Sequence, residues 1–201
     1  LTVTNSCGCV STYEGYVYVS ERKSFEISCP TVICEDGMGV YSLPQDIAAE
    51  CQGVWSVDGG TIINETAGNI QIQWDQVDAS GFGYVTFTPG NCDVECTEPT
   101  IVKVPVIQTN GMIQGENTIC SGKQLSYSLP QWPSTDIVWS IQDASSGLVV
   151  DVVPTDQRNE VVLNVLDGSG TFTLVAHYQN TLLGCGGSAV LQITVTPQLQ
   201  I

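Results

Sequence analysis

Nine cysteines and a single histidine are the residues of this 201-residue chain best able to do chemistry. The cysteines are Cys7, Cys9, Cys29, Cys34, Cys51, Cys92, Cys96, Cys120 and Cys185. A thiol nucleophile needs a neighbouring base to form thiolate. The only histidine, His177, falls within Gly170–Tyr178, which reads as a strand interior, so a structural or surface role fits it better. A zinc site needs four converging ligands, and the close pairs Cys7–Cys9 and Cys92–Cys96 face no second pair at zinc-ribbon spacing. Cysteine at this density in so short a chain points instead to disulfides and an oxidising compartment. The nucleophile-elbow, HExxH and Gly-rich phosphate-loop patterns are missing, so no catalytic residue is nominated and the chain reads as a non-enzyme.

Two other residue classes invite a ligand. Carboxylates cluster at Asp75 with Asp78, Asp143 with Asp151, and Asp93 with Glu95, as in loops that hold calcium. Calcium takes six to eight oxygens, and no cluster has the DxDxDG loop spacing, so a solvated acidic rim is the plain reading. No cofactor and no metal ligand is assigned, with calcium left as the open alternative. Trp132 lies between Pro130 and Pro133 in a predicted loop. Exposed, it would contact a ligand by stacking on sugar or on a neighbouring module; buried, it would pack over its own sandwich. Trp55 and Trp139 fall on predicted central strands, where a core wants a large ring against a disulfide, and Trp74 shares a face with Ile70 and Ile72. Asn64-Glu65-Thr66 fits the N-glycosylation pattern.

The elements that would position these residues occur twice. Ile33-Cys34, Tyr41-Ser42-Leu43-Pro44 and Trp55-Ser56-Val57 recur as Ile119-Cys120, Tyr127-Ser128-Leu129-Pro130 and Trp139-Ser140-Ile141. A repeat near 90 residues is long enough for each copy to bury its own core. Short β-branched and aromatic runs between Gly, Pro, Asn and Asp predict strands at Met38–Ser42, Gly53–Val57, Asn69–Trp74, Gly83–Thr88 and Thr100–Val106. The second copy repeats them at Gln124–Ser128, Asp136–Gln142, Glu160–Val165, Gly170–Tyr178 and Ala189–Thr196. Gln45–Cys51 is short enough for one helical turn, and nothing longer is helical. The fold class is therefore all-β: tandem immunoglobulin-like two-sheet sandwiches of about seven strands. Leu1–Cys7 followed by Gly15–Val19 resembles Val85–Cys92 followed by Thr100–Val104, so residues 1–24 read as the C-terminal hairpin of a preceding, truncated repeat. The full repeats are then 25–110 and 111–201, joined at the polar turn Gln108-Thr109-Asn110-Gly111. The start at Leu1, with neither initiator Met nor signal peptide, reads as a piece excised from a larger secreted protein.

Charge narrows the partners. Twenty-one acidic against five basic residues give a net charge of −16, the wrong sign for nucleic acid or for anionic lipid. No apolar run is long enough to span a membrane as a helix.

The run Ile113-Gln114-Gly115-Glu116-Asn117-Thr118-Ile119-Cys120-Ser121-Gly122, with the later Tyr-Ser-Leu-Pro, Trp-Ser and Gly184-Cys185, resembles the PKD-like modules of large Bacteroidetes surface proteins. Such modules form tandem arrays, notably in gliding-motility adhesins exported by the type IX secretion pathway. The resemblance covers both copies, although the first has Cys29 where the pattern has Gly. It implies a Cys120–Cys185 disulfide, and in the first copy a bond from Cys34 to Cys92 or Cys96. Cys92 is favoured because Cys7 aligns with it, which leaves Cys51 for Cys96. Cys7 and Cys9 are expected to pair with residues of the truncated repeat, and Cys29 is unassigned within its own unit. The resemblance further implies an extracellular, cell-surface location and a spacer role in adhesion and gliding, with neighbouring repeats, polysaccharide or other surface proteins as partners. The rival reading is a carbohydrate- or protein-binding accessory module of a secreted enzyme.

Overall fold

The computed structural model describes residues 2–4, 6–8, 10–16, 25–45, 48, 51–92 and 98–197. Its strands are β1 (Thr2–Thr4), β2 (Val10–Thr12), β3 (Ile33–Cys34), β4 (Met38–Ser42), β5 (Cys51–Asp58), β6 (Thr61–Glu65), β7 (Asn69–Gln73), β8 (Phe82–Cys92) and β9 (Thr100–Ile107). They continue with β10 (Thr118–Cys120), β11 (Gln124–Ser128), β12 (Thr135–Gln142), β13 (Val149–Pro154), β14 (Glu160–Asp167), β15 (Gly170–Asn180) and β16 (Gly186–Thr196). Sheet β3-β9-β8-β5 faces sheet β4-β7-β6, and sheet β10-β16-β15-β12 faces sheet β11-β14-β13. Each pair is a seven-stranded immunoglobulin-like sandwich in which a short first strand runs parallel to the last, β3 on β9 and β10 on β16.

Alternation drives the packing, because successive strand residues point to opposite faces. Ile70, Ile72, Val85, Phe87, Val104 and Val106 turn inward in the first sandwich; Val161, Leu163, Val165, Phe172, Leu174 and Ile193 do so in the second. The repeated tyrosine is buried in both and bonded differently. Tyr41 Oη accepts the indole N–H of Trp74 at 3.0 Å, whereas Tyr127 donates its hydroxyl to the Glu116 carbonyl at 2.8 Å. Val165 occupies the place of Trp74 in the second core, so Tyr127 finds its partner elsewhere. Trp55 is buried against Phe87, and Trp139 packs half-buried on the second core. Their indole N–H groups are buried without a hydrogen-bond acceptor.

The short strands β3 and β10 were not foreseen, and neither were β6 and β13. The latter two are edge strands; β6 is mostly exposed, and β13 turns Val150 and Val152 inward but carries valine on its outer face too, so neither sequence alternates apolar with polar. Residues Gln45 and Ala48 are helical, and the Ala48 amide donates to the Pro44 carbonyl at 2.9 Å; Cys51 already belongs to β5. At the N-terminus β1 and β2 form an antiparallel hairpin with Thr2 opposite Thr12. The second arm expected there, Gly15–Val19, lies mostly outside the described residues.

Candidate functional site at the joint between the sandwiches

The described disulfide joins Cys34 of the first sandwich to Cys185 of the second, 151 residues apart, with Cα atoms separated by 6.1 Å. This corrects the expected pairings Cys120–Cys185 and Cys34–Cys92. The reason is strand length. Cys120 lies beside Thr196 at one end of β16, and Cys185 directly precedes the other end of that 11-residue strand. At about 3.3 Å per residue, roughly 35 Å separates the two positions, far beyond the reach of a disulfide. Cys34 likewise lies beside Ile107 at the far end of β9, a strand length from Cys92. Cys34 therefore occupies the C-terminal pole of its sandwich and Cys185 the N-terminal pole of the next. Cys120 and Cys29 are exposed free thiols. Cys51 faces Cys92 in the register of β5 and β8, while Cys96 and Cys9 lie outside the described residues.

The hairpin carrying Cys185 is built by Asn180, which is fully buried at the end of β15. Its side-chain amide donates to the Pro133 carbonyl at 2.8 Å and to Thr135 Oγ1 at 3.1 Å. Its carbonyl oxygen accepts the Leu182 and Leu183 amides, and its backbone N–H donates to the Cys185 carbonyl at 2.7 Å. Buried polar atoms that are all bonded fix a loop in one conformation. Cys185 is held ready for its partner.

The linker between the sandwiches is held from both sides. Gln108 is buried and donates from Nε2 to the carbonyls of Val77 at 3.2 Å and Asp78 at 2.9 Å, both in the first sandwich. The Thr109 amide donates to Glu35 Oε2 at 2.8 Å, while the Thr109 carbonyl accepts the Ser188 amide of the second sandwich at 3.1 Å. Tyr178 Oη accepts the Gly111 amide at 2.7 Å and donates to the Gln108 carbonyl at 2.9 Å. Burial pushes the Tyr178 phenol up, the Gly111 amide pulls it partly back, and the Glu35 charge raises it further. Val32 and Ile107 of the first sandwich are buried in the second hydrophobic cluster, so apolar packing continues through the joint.

Trp132 completes the joint, and its placement overturns its role as an exposed ligand contact. It is only 5% exposed, stacks at 4.9 Å on Tyr178, and donates its indole N–H to the Gly81 carbonyl of the first sandwich at 3.1 Å. Gly81 has φ +70°, and a Cβ there would meet Pro130 Cγ at 2.8 Å and Trp132 Nε1 at 2.9 Å. A side chain at this position would push the sandwiches apart.

The remaining candidates do not converge on a site. His177 is exposed on β15 opposite Val138. The Asp75 carboxylate accepts the Thr61 hydroxyl, and hydrogen bonds from Ser80 hold the Asp78 carboxyl below the usual carboxylate range. Asp143 and Asp151 are exposed, and Asp93 and Glu95 lie outside the described residues. Among the described residues no three His, Cys, Asp or Glu side chains gather as metal ligands would, and no helix is long and apolar enough to cross a membrane.

Sequence reasoning missed Gln108, Tyr178, Asn180 and Gly81. A signal was available. Strand register makes Tyr178 the counterpart of Pro89 in the first copy and Gln108 the counterpart of Pro197 in the second. Tyr178 and Gln108 thus differ between the copies, whereas Gly81, Asn180 and Cys34 fall in register with the identical residues Gly170, Asn91 and Cys120.

No family model matches the chain, and no curated protein matches it. Among solved structures it is similar to the D00-D0 domain of intimin, at 11% identity over 85% of this chain and 100% of that one, with a TM-score of 0.38. It is similar to murine CEACAM1b at 11% identity over 86% and 100%, with a TM-score of 0.34. A third is SGBP-B of the Bacteroides ovatus mixed-linkage glucan utilization locus, solved in complex with a mixed-linkage heptasaccharide. Its identity is 11% over 98% of this chain and 52% of that one, with a TM-score of 0.33.

Proposed function

We propose that this chain is a non-enzymatic spacer segment of a long, repetitive bacterial cell-surface adhesin. The observation that carries the reading is the joint: a disulfide, a linker hydrogen-bonded to both sandwiches and a shared apolar contact connect opposite poles of consecutive sandwiches. A binding site that depends on loop adaptability has little use for such a connection. A rod that must project a distal region does, because each locked joint removes a hinge. The acidity keeps such a rod soluble, and the disulfide fits an extracellular location. The PKD-like, gliding and type IX assignments rest on the resemblance of the Ile113–Gly122 motif alone.

The accessory-module reading loses its nominated contact, since Trp132 is buried. It retains an open groove of about 580 Å³ between β12 and β13, lined by Trp139, Val152, Pro154 and Arg158 among others. Binding of soluble polysaccharide that Arg158→Ala and Val152→Asp abolish would favour it.

Length tests the spacer reading. Two sandwiches joined pole to pole, each set by strands of 11 residues at about 3.3 Å, span at least roughly 70 Å. Small-angle scattering of the oxidised chain should give a maximum dimension of at least that value. A folded-back particle near roughly 50 Å, little more than one strand length, would refute it.

A further inference from the structure

The cysteine that begins the joint is present a second time, at the opposite end of the second sandwich. Cys34 pairs with Ile107, and Cys120 pairs with Thr196, each at the parallel contact between the first and last strands. The surrounding turns agree bond for bond. The Glu35 amide donates to the Ile107 carbonyl, and the Ser121 amide donates to that of Thr196, both at 2.9 Å. Asp36 donates to the Trp74 carbonyl and Gly122 to the Val165 carbonyl; both residues have positive φ, 60° and 76°. Gly37 and Lys123 each bond back to the carbonyl of their own cysteine. In the first copy this turn presents Cys34 to the hairpin cysteine of the next sandwich. In the second copy it presents Cys120, exposed and free.

The surface around Cys120 is open where that around Cys34 is filled. In the first sandwich the segment between β7 and β8 receives Trp132 at Gly81. The matching segment between β14 and β15 lines an open depression of about 470 Å³, with Ser121, Gly122, Leu166, Gly168 and Pro197 in its wall. Leu166 is 51% exposed there.

We propose that Cys120 is the outgoing link of the array, forming a disulfide with the hairpin cysteine of a further sandwich of the same kind seated on this pole. Every joint would then repeat the Cys34–Cys185 arrangement, and the array would be covalently cross-linked from module to module. The proposal takes its partner from the reading of the chain as an array segment. Two thiols, Cys120 Sγ–H and that of the incoming hairpin, lose two protons and two electrons as the S–S bond forms. A thiol–disulfide oxidant accepts both electrons, and its own disulfide is reduced to two thiols that take up the protons. The side-chain clasp is not copied: Ser121 replaces Glu35 and Pro197 replaces Gln108, so this joint relies more on its disulfide.

The test is the full chain with residues 109–201 repeated after Pro197, oxidised with glutathione disulfide. A Leu182→Val change in the added copy gives its hairpin peptide a distinct mass. Non-reducing peptide mapping should find Cys34–Cys185 as before and Cys120 bonded to the added hairpin cysteine. Iodoacetamide labelling of Cys120 should drop at least tenfold against the unextended chain. In the same extended chain carrying Cys120→Ser, the added hairpin cysteine should become alkylatable. Cys120 left alkylatable, or bonded to any other cysteine, while Cys34–Cys185 forms normally, would overturn the proposal. That outcome leaves the measured length of the unextended chain, and with it the spacer reading, untouched.

Discussion

Replacing Cys34 and Cys185 together by serine should destabilise both sandwiches, although the bond lies in neither core. If the second sandwich unfolds while the first stays folded, Cys34 remains fixed beside Ile107. The bond then closes an unfolded loop from Ile107 to Cys185, roughly 80 residues, which the chain-entropy relation values at about 4.5 kcal/mol. If the first sandwich unfolds alone, the loop from Cys34 to the linker is roughly 75 residues, with nearly the same value. Unfolding both closes the whole 151-residue loop, for about 5 kcal/mol. The half-unfolded states are thus penalised almost as much as the fully unfolded one. The bond therefore makes unfolding concerted as well as harder. Urea titrations of the oxidised protein should show one transition when followed by amide exchange at Val85–Phe87 and at Phe172–Ala176. In the double-serine variant the two regions should separate, the two transitions together losing about 5 kcal/mol, or roughly 10–20 °C in melting temperature for a cooperative unit of this size. If the variant keeps both midpoints to within about 0.5 kcal/mol and a single transition, the loop-closure argument fails.

Gly81→Val should loosen the joint while sparing both cores, because its Cβ would enter the space of Pro130 and Trp132 from a backbone at φ +70°. The expected readout is severalfold faster reduction of Cys34–Cys185 by dithiothreitol, with the exchange protection of Val85 and Leu174 retained; an unchanged rate would contradict the wedge. Alkaline pH should destabilise the chain through its buried phenols. Burial, with the Glu116 charge adding, pushes Tyr127 up to about 12, and burial raises Tyr41 as well. The folded chain then holds these protons more tightly than the unfolded chain, so their contribution is complete below pH 10 and declines as pH rises towards 12. Urea midpoints taken between pH 9 and 11.5 should fall, and Tyr127→Phe should make the fall shallower; equal slopes would refute the assignment.

The sandwich strands were legible because both copies write their inward residues at period two: Ile70-Ile72 on β7 and Val161-Leu163-Val165 on β14. The edge strands β6 and β13 were not, since adjacent apolar residues, Ile62-Ile63 on β6 and Val149-Val150 and Val152-Val153 on β13, put apolar groups on both faces and hide the period of two. Exposure was one of two readings of Trp132, because two prolines place it in a loop and loops usually run over the surface; the other was packing over its own sandwich. Here the surface concerned is an interface with the neighbouring sandwich. A pattern read within one copy cannot register burial that only the next copy supplies.

The disulfide was misassigned for a related reason. Under the repeat, Cys34 and Cys120 are one position, so a bond from Cys185 to either joins the same two position types. Spacing does not separate a bond within a module from a bond between modules. What separates them is the parallel pairing of the first strand with the last, which carries the first cysteine to the end of the sandwich where the chain exits. The hairpin cysteine is at the end where the chain enters, because β15 and β16 are antiparallel and turn there. A sandwich of this topology cannot join these two cysteines to each other, so a disulfide at either one ties it to a neighbour, and the stability that bond adds belongs to the pair rather than to the module.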